Sequence, residues 1–144
     1  MCHSAQVSCR CDIRTPTRGR HFVTETLARC YGLGVLSAMT MGDVELVATE
    51  LLTNAAKVGT HDVLLELALH RHWVYVAVTD DGHGAPHLQV ARPTDEHGRG
   101  LAIVASIATR WGMEPAGSRK IVWARVPIDV DLPAVFACRT PDQS

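Results

Sequence analysis

The chain reads as an α+β domain, a two-layer sandwich in which helices cover one face of a mixed, mostly antiparallel sheet. Three observations carry this expectation. Val44, Val47, Leu51, Ala55 and Val58 recur at helical spacing. Two runs rich in Val, Leu and aromatic residues, 63–69 and 73–79, are separated only by His70, Arg71 and His72, which suits paired strands. The order is helices, paired strands, loop, helix, paired strands, and that order segregates helices to one side of an antiparallel sheet.

Taken in order, residues 1–13 read as a loose or edge segment. Thr15-Pro16 opens the first helix, since Thr can cap and Pro suits the first helical position. Phe22, Val23, Leu27 and Cys30 form its apolar face, and Tyr31-Gly32-Leu33-Gly34 ends it. A second helix is expected from near Thr40, with Asp43 as capping-box partner and Gly59 at its close. After the two strands, residues 81–97 hold Gly, Pro, His and Asp without periodicity and read as a loop. A third helix is expected over 100–110, with Ile103, Val104 and Ile107 apolar. Residues 114–118 read as a hairpin turn before a strand over 121–126. The tail from Pro127, carrying Pro133 and Pro141, is expected to fray. The domain is therefore bounded at 14–128, with 129–144 as a flexible tail.

The bulk numbers narrow the function. The 144 residues suffice for one domain, and 47% hydrophobic content supports a core. A net charge of -1 supplies no field for nucleic acid or an anionic membrane. Arg10, Arg14, Arg18 and Arg20 are diluted by Asp12 and Glu25 and read as solvated surface. No apolar run has bilayer-crossing length, and the start lacks a signal-peptide core, so a cytoplasmic location is expected. Five cysteines without framework spacing imply reduced thiols. Cys9 and Cys11, with Cys2 and His3 nearby, form at most a weak zinc pattern.

Chemistry concentrates in three segments. In Val76-Ala77-Val78-Thr79-Asp80-Asp81-Gly82-His83-Gly84, an apolar strand delivers a carboxylate to a turn with two glycines. Asp80 is then either a turn-forming cap or a buried acceptor for an amino group, with Gly82 clearing room for a flat ring. Glu50 and Asn54, four apart, share a helix face beside the apolar stripe. A carboxylate can take a proton, and an amide oxygen suits a hard cation such as magnesium; two ordinary polar residues are the plainer alternative. Gly98-Arg99-Gly100 leads into a helix, where free amides and the dipole suit phosphate, or where the chain merely needs a flexible entry.

Together, Glu50-x-x-x-Asn54, Asp80-x-Gly82-x-Gly84 and Gly98-x-Gly100-Leu101 resemble the nucleotide-binding boxes of the GHKL ATPase superfamily. That group holds gyrase, the ninety-kilodalton heat-shock chaperones, histidine kinases and mismatch-repair ATPases. The chain is most similar to the bacterial anti-sigma factor serine/threonine kinases, over about residues 14–127. The resemblance implies a Bergerat-type ATP-binding fold with ATP and magnesium as cofactors. Asp80 would accept the adenine amino group, with Gly82 and Gly84 letting base and sugar approach. Asn54 would hold magnesium. Residues 85–97 would form a lid, and Gly98, Arg99, Gly100 and Leu101 would line the phosphate chain, the two glycines through their amides. Glu50 would be the general base toward a serine or threonine hydroxyl on a partner protein.

Two positions depart from the family pattern. Val58 stands where a histidine or other polar residue is usual. Ile121 is the expected match to a late-strand polar residue near adenine, a loss costing about 0.5–1.5 kcal/mol. His83, His87 and His97 read as exposed lid residues, and Trp111 and Trp123 as core or sheet-packing residues. On this reading the ATP-binding domain is expected to take up the chain, without the dimerising hairpin of a histidine kinase or the extra domains of gyrase-like machines. A stand-alone regulator is therefore expected: an anti-sigma protein kinase acting on an anti-anti-sigma partner. The alternative is a non-catalytic nucleotide-binding module that sequesters a sigma factor or another regulatory partner. A homodimer through the first helix and strand is compatible with either; direct nucleic-acid or membrane contact is not expected.

Overall fold

The computed structural model describes residues 3–32, 34–57, 61–81, 96–130 and 132. Its elements are β1 (His3–Arg10), α1 (Thr15–Tyr31), α2 (Ala38–Lys57), β2 (Asp62–Leu69), β3 (Trp73–Asp80), α3 (Glu96–Ile107), β4 (Arg110–Ala116) and β5 (Arg119–Pro127). The strands form one sheet in the order β1-β2-β3-β5-β4. Every pairing is antiparallel, so the sheet expected to be mostly antiparallel is antiparallel throughout.

Alternation along the strands sets the two faces. Val63, Leu65, Leu67 and Leu69 of β2, Val74, Val76 and Val78 of β3, and Val122, Ala124 and Val126 of β5 are all buried. They meet Val23 and Leu27 of α1, Val44, Val47, Leu51, Leu52 and Ala55 of α2, and Val104 of α3 in one core. Helix α2 lies on the middle strands, α1 packs on α2 and β1, and α3 on α2 and β4. Gly19 of α1 is buried against Leu52 of α2, and a methyl group there would collide with the Leu52 side chain. The opposite face carries aromatics. Tyr75 and Trp123 stack with centroids 6.1 Å apart, and the Arg125 guanidinium lies 4.9 Å from the Trp73 ring centre. Trp123 lies over Gly112 of β4, where a Cβ would sit 3.0 Å from the indole. Trp111 packs against the core instead.

Several boundaries differ from the sequence expectation, each for a local reason. Residues 3–10 form an edge strand because Ala5, Val7 and Cys9 alternate with exposed Ser4, Gln6, Ser8 and Arg10. At the start of α1, Pro16 sits in the first turn as expected, but Thr15 does not cap the helix; its hydroxyl accepts from Asp12 N–H at 2.8 Å and donates to the Arg10 carbonyl. Helix α1 ends at Gly32, whose φ of 99° is open to glycine. Helix α2 begins at Ala38, two residues before Thr40, and its capping oxygen is Ser37 Oγ, which accepts from Thr40 N–H at 3.1 Å. Val58 and Gly59 lie outside the described residues.

Helix α3 begins at Glu96 and stops at Ile107, so Arg110 opens β4 and does not end a helix. The turn between β4 and β5 is Gly117-Ser118, with Gly117 at φ 65°.

The first residues after β5 do not fray. Ile128 N–H donates to the His72 carbonyl at 2.9 Å, Arg71 Nε donates to the Leu132 carbonyl at 3.0 Å, and Leu132 is buried. Asp129 accepts from the hydroxyls of Ser37 and Thr40, each at 2.7 Å. Those two hydrogen bonds hold its carboxyl below the ordinary range and tie this segment to the first turn of α2. Among the described residues, no helix is long and apolar enough to cross a membrane. Cys9, Cys11 and Cys30 are free thiols, and burial pushes Cys9 and Cys11 above the usual value.

Candidate functional site

Helix α2 is the centre of the candidate site. Its buried stripe presses Leu51 and Ala55 onto the sheet, which leaves Glu50 and Asn54 half-buried on the flank, one turn apart. Glu50 faces α3. A Cβ built on Gly100 would stand 2.9 Å from Glu50 Oε2, so the carboxylate occupies the space that a side chain at position 100 would need. The segments around Glu50 and over 98–101 therefore meet in space, at a contact that a hydrogen on the Gly100 Cα permits.

The glycines of the third segment lie inside α3. Gly98 is its third residue and Gly100 its fifth. The amide of Gly98 falls among the first N–H groups, which have no carbonyl one turn behind them. By the same geometry the Gly100 amide belongs to the helix ladder. The side of Gly100 that a Cβ would occupy faces the Glu50 carboxylate. Leu101 is half-buried and packs against the core.

The Asp80 segment places one carboxylate on the last residue of β3 and a second, Asp81, just beyond it. Asp81, just past the strand, ties that end to the residue preceding β2: it accepts from His61 N–H at 3.2 Å. Burial alone would raise its carboxyl, but hydrogen bonds from the His61 and Asp62 backbone outweigh that and hold it lower. Asp80 is in phase with Val74, Val76 and Val78 on the helix side, where it is 1% exposed. Its strand neighbours are Val63 on β2 and Lys120 on β5. Gly82, Gly84, His83, His87 and the lid positions up to 95 lie outside the described residues, as do the side chains of His97 and Arg99.

Lys120 is the residue that sequence reasoning missed. It is buried at 8% exposure, and its Nζ stands 3.9 Å from Asp80 Oδ2. The position expected beside the base was Ile121. That residue is opposite Thr79, and strand alternation sends its side chain to the outer face, so Lys120 is the one that accompanies Asp80. The signal was present as a charged residue in phase with Val122, Ala124 and Val126.

Among the described residues, no group of three or more His, Cys, Asp or Glu side chains gathers as a metal cage. A single oxygen donor such as Asn54 fits magnesium, which keeps several waters and is commonly held by one or two protein groups plus substrate phosphates. By their chemistry, a buried carboxylate at a strand end can accept from an amino group, a half-buried carboxylate over a glycine can take a proton, and an amide one helical turn from it can ligate a hard cation.

A family model described as histidine kinase-like ATPase domain matches residues 12–126. None of the curated proteins matches. Among solved structures, the chain is similar to the histidine kinase domain of the blue-light activated histidine kinase of Erythrobacter litoralis EL346. That likeness has 18% identity and a TM-score of 0.47, over 76% of this chain and 60% of that one.

Proposed function

The chain belongs to the histidine kinase-like ATPase domain family, and from that premise we propose that it binds magnesium ATP beside α2 and phosphorylates a serine or threonine of a partner protein. The observation that carries this reading is the seating of Glu50 over Gly100, with Asn54 one turn further along the same helix. The partner class we propose is an anti-anti-sigma factor, with the sigma factor itself as a further binding partner.

Each group then has a defined task. Asp80 accepts from the exocyclic amine of adenine. Asn54 offers its amide oxygen to magnesium, which offsets phosphate charge when bound. The Gly98 amide, at the positive end of α3, faces the phosphate chain. Glu50 orients the incoming hydroxyl and takes its proton. The hydroxyl oxygen forms a bond to the γ-phosphorus as the bridge to ADP breaks, and ADP leaves with that electron pair. In such transfers the protein mainly positions groups and stabilises charge.

The direct test is transfer of labelled γ-phosphate to the product of a neighbouring gene encoding a small serine-bearing domain, alongside calorimetry with magnesium ATP. Heat on binding and label on that serine are expected. Absence of any heat would end the nucleotide reading. Heat without label, but with capture of the partner, would select the sequestering alternative.

Gly100→Ala probes the seating itself. Alanine favours a helix interior by about 1 kcal/mol over glycine, so urea denaturation should show equal or greater stability. The added methyl must push the Glu50 carboxylate aside, and misplacement on the order of 1 Å can cost roughly 100-fold in rate. A stable variant with slowed transfer and unchanged ATP affinity is the expected result.

A further inference from the structure

Lys120 and Asp80 form a polar pair at the end of an otherwise apolar sheet face. Their neighbours on that face are Val63, Val78 and Val122, all buried. Lysine is rarely buried unless paired, because desolvating an ammonium is costly. The separation here, 3.9 Å from Nζ to Oδ2, is attractive but exceeds the 2.7–3.2 Å of a hydrogen bond. The two charges stand side by side, an acceptor next to a donor, both directed to the helix side of the sheet.

Adenine carries the complementary pair on one edge: the exocyclic amine, a donor, directly beside ring nitrogen N1, an acceptor. We propose that Lys120 is a specificity-determining residue of the base site, donating to N1 while Asp80 accepts from the amine. This rests on the reading of Asp80 given above. A hydrogen bond from an ammonium in a buried setting is stronger than one from a neutral group. Lys120 thus supplies a polar contact beside Asp80 that Ile121, on the outer face, does not make.

The test is calorimetry of wild-type protein, Lys120→Met and Lys120→Arg with four nucleotides: ATP, 1-deaza-ATP, 7-deaza-ATP and GTP. Wild type should bind 1-deaza-ATP on the order of tenfold more weakly than ATP, the size expected for one charge-assisted hydrogen bond. It should bind 7-deaza-ATP like ATP. Lys120→Met should bind ATP and 1-deaza-ATP alike, and Lys120→Arg should restore the preference. A merely structural role would weaken both ligands equally and leave their ratio at the wild-type value, which overturns the proposal. Equal wild-type affinity for ATP and 1-deaza-ATP overturns it without any variant, so a Lys120→Met protein that fails to fold does not protect it. GTP binding as tightly as ATP also overturns it, because guanine offers the pair a carbonyl and a ring N–H instead. No binding of ATP by wild type would instead remove the nucleotide reading as a whole.

Discussion

Glu50→Gln is expected to abolish phosphate transfer and leave ATP affinity within about twofold. Glutamine matches glutamate in size, so it can occupy the same space over Gly100 and keep α2 and α3 together. Its amide cannot accept the hydroxyl proton. Loss of a general base typically costs 100- to 10,000-fold in rate, and residual transfer should fall into background. Labelled phosphate on the partner measures the first quantity and calorimetry the second. Transfer at the wild-type rate would remove Glu50 from the chemistry. Loss of ATP affinity would make it a ligand instead of a base.

Asp80→Asn should eliminate measurable ATP binding. Asparagine turns part of an acceptor-only group into an N–H₂ donor, which then faces the amine of the base. The lost charge-assisted hydrogen bond and the opposed donors together predict a fall on the order of 100-fold or more. The substitution also strips Lys120 of the carboxylate beside it, and breaking a buried charge pair costs about 3–5 kcal/mol when one partner is removed. Circular dichroism and urea denaturation must therefore accompany the calorimetry. A folded Asp80→Asn protein that still binds ATP tightly would show that the base is held elsewhere.

Much of this architecture was legible because the core writes its period into the chain. Val44, Val47, Leu51 and Ala55 announced α2, and the runs through Leu69 and Thr79 announced β2 and β3. Strand β4 was not legible, since Gly112 and Pro115 interrupt it and its core-facing residues, Trp111 and Met113, are only half-buried. Strand β1 offered a usable alternation that a polar outer face disguised. The start of α3 was obscured by Gly98 and Gly100, which argue against a helix interior until their close packing is known.

Around the candidate site, spacing anticipated that Glu50 and Asn54 share one flank of α2 and that Asp80 ends β3. The Glu50–Gly100 contact was not anticipated, because it depends on how two helices approach. Lys120 was lost to a shift of one residue, and in a strand one residue is the difference between two faces.

The anchoring of α2 through Ser37, Thr40 and Asp129 has a consequence for control. Glu50 lies thirteen residues beyond Ser37, about 20 Å along the same rod at the α-helical rise. On the proposed reading, a partner that grips the chain after β5 would therefore act on the same helix that carries Glu50 and Asn54, and a shift of that helix would move the proposed base and cation ligand together.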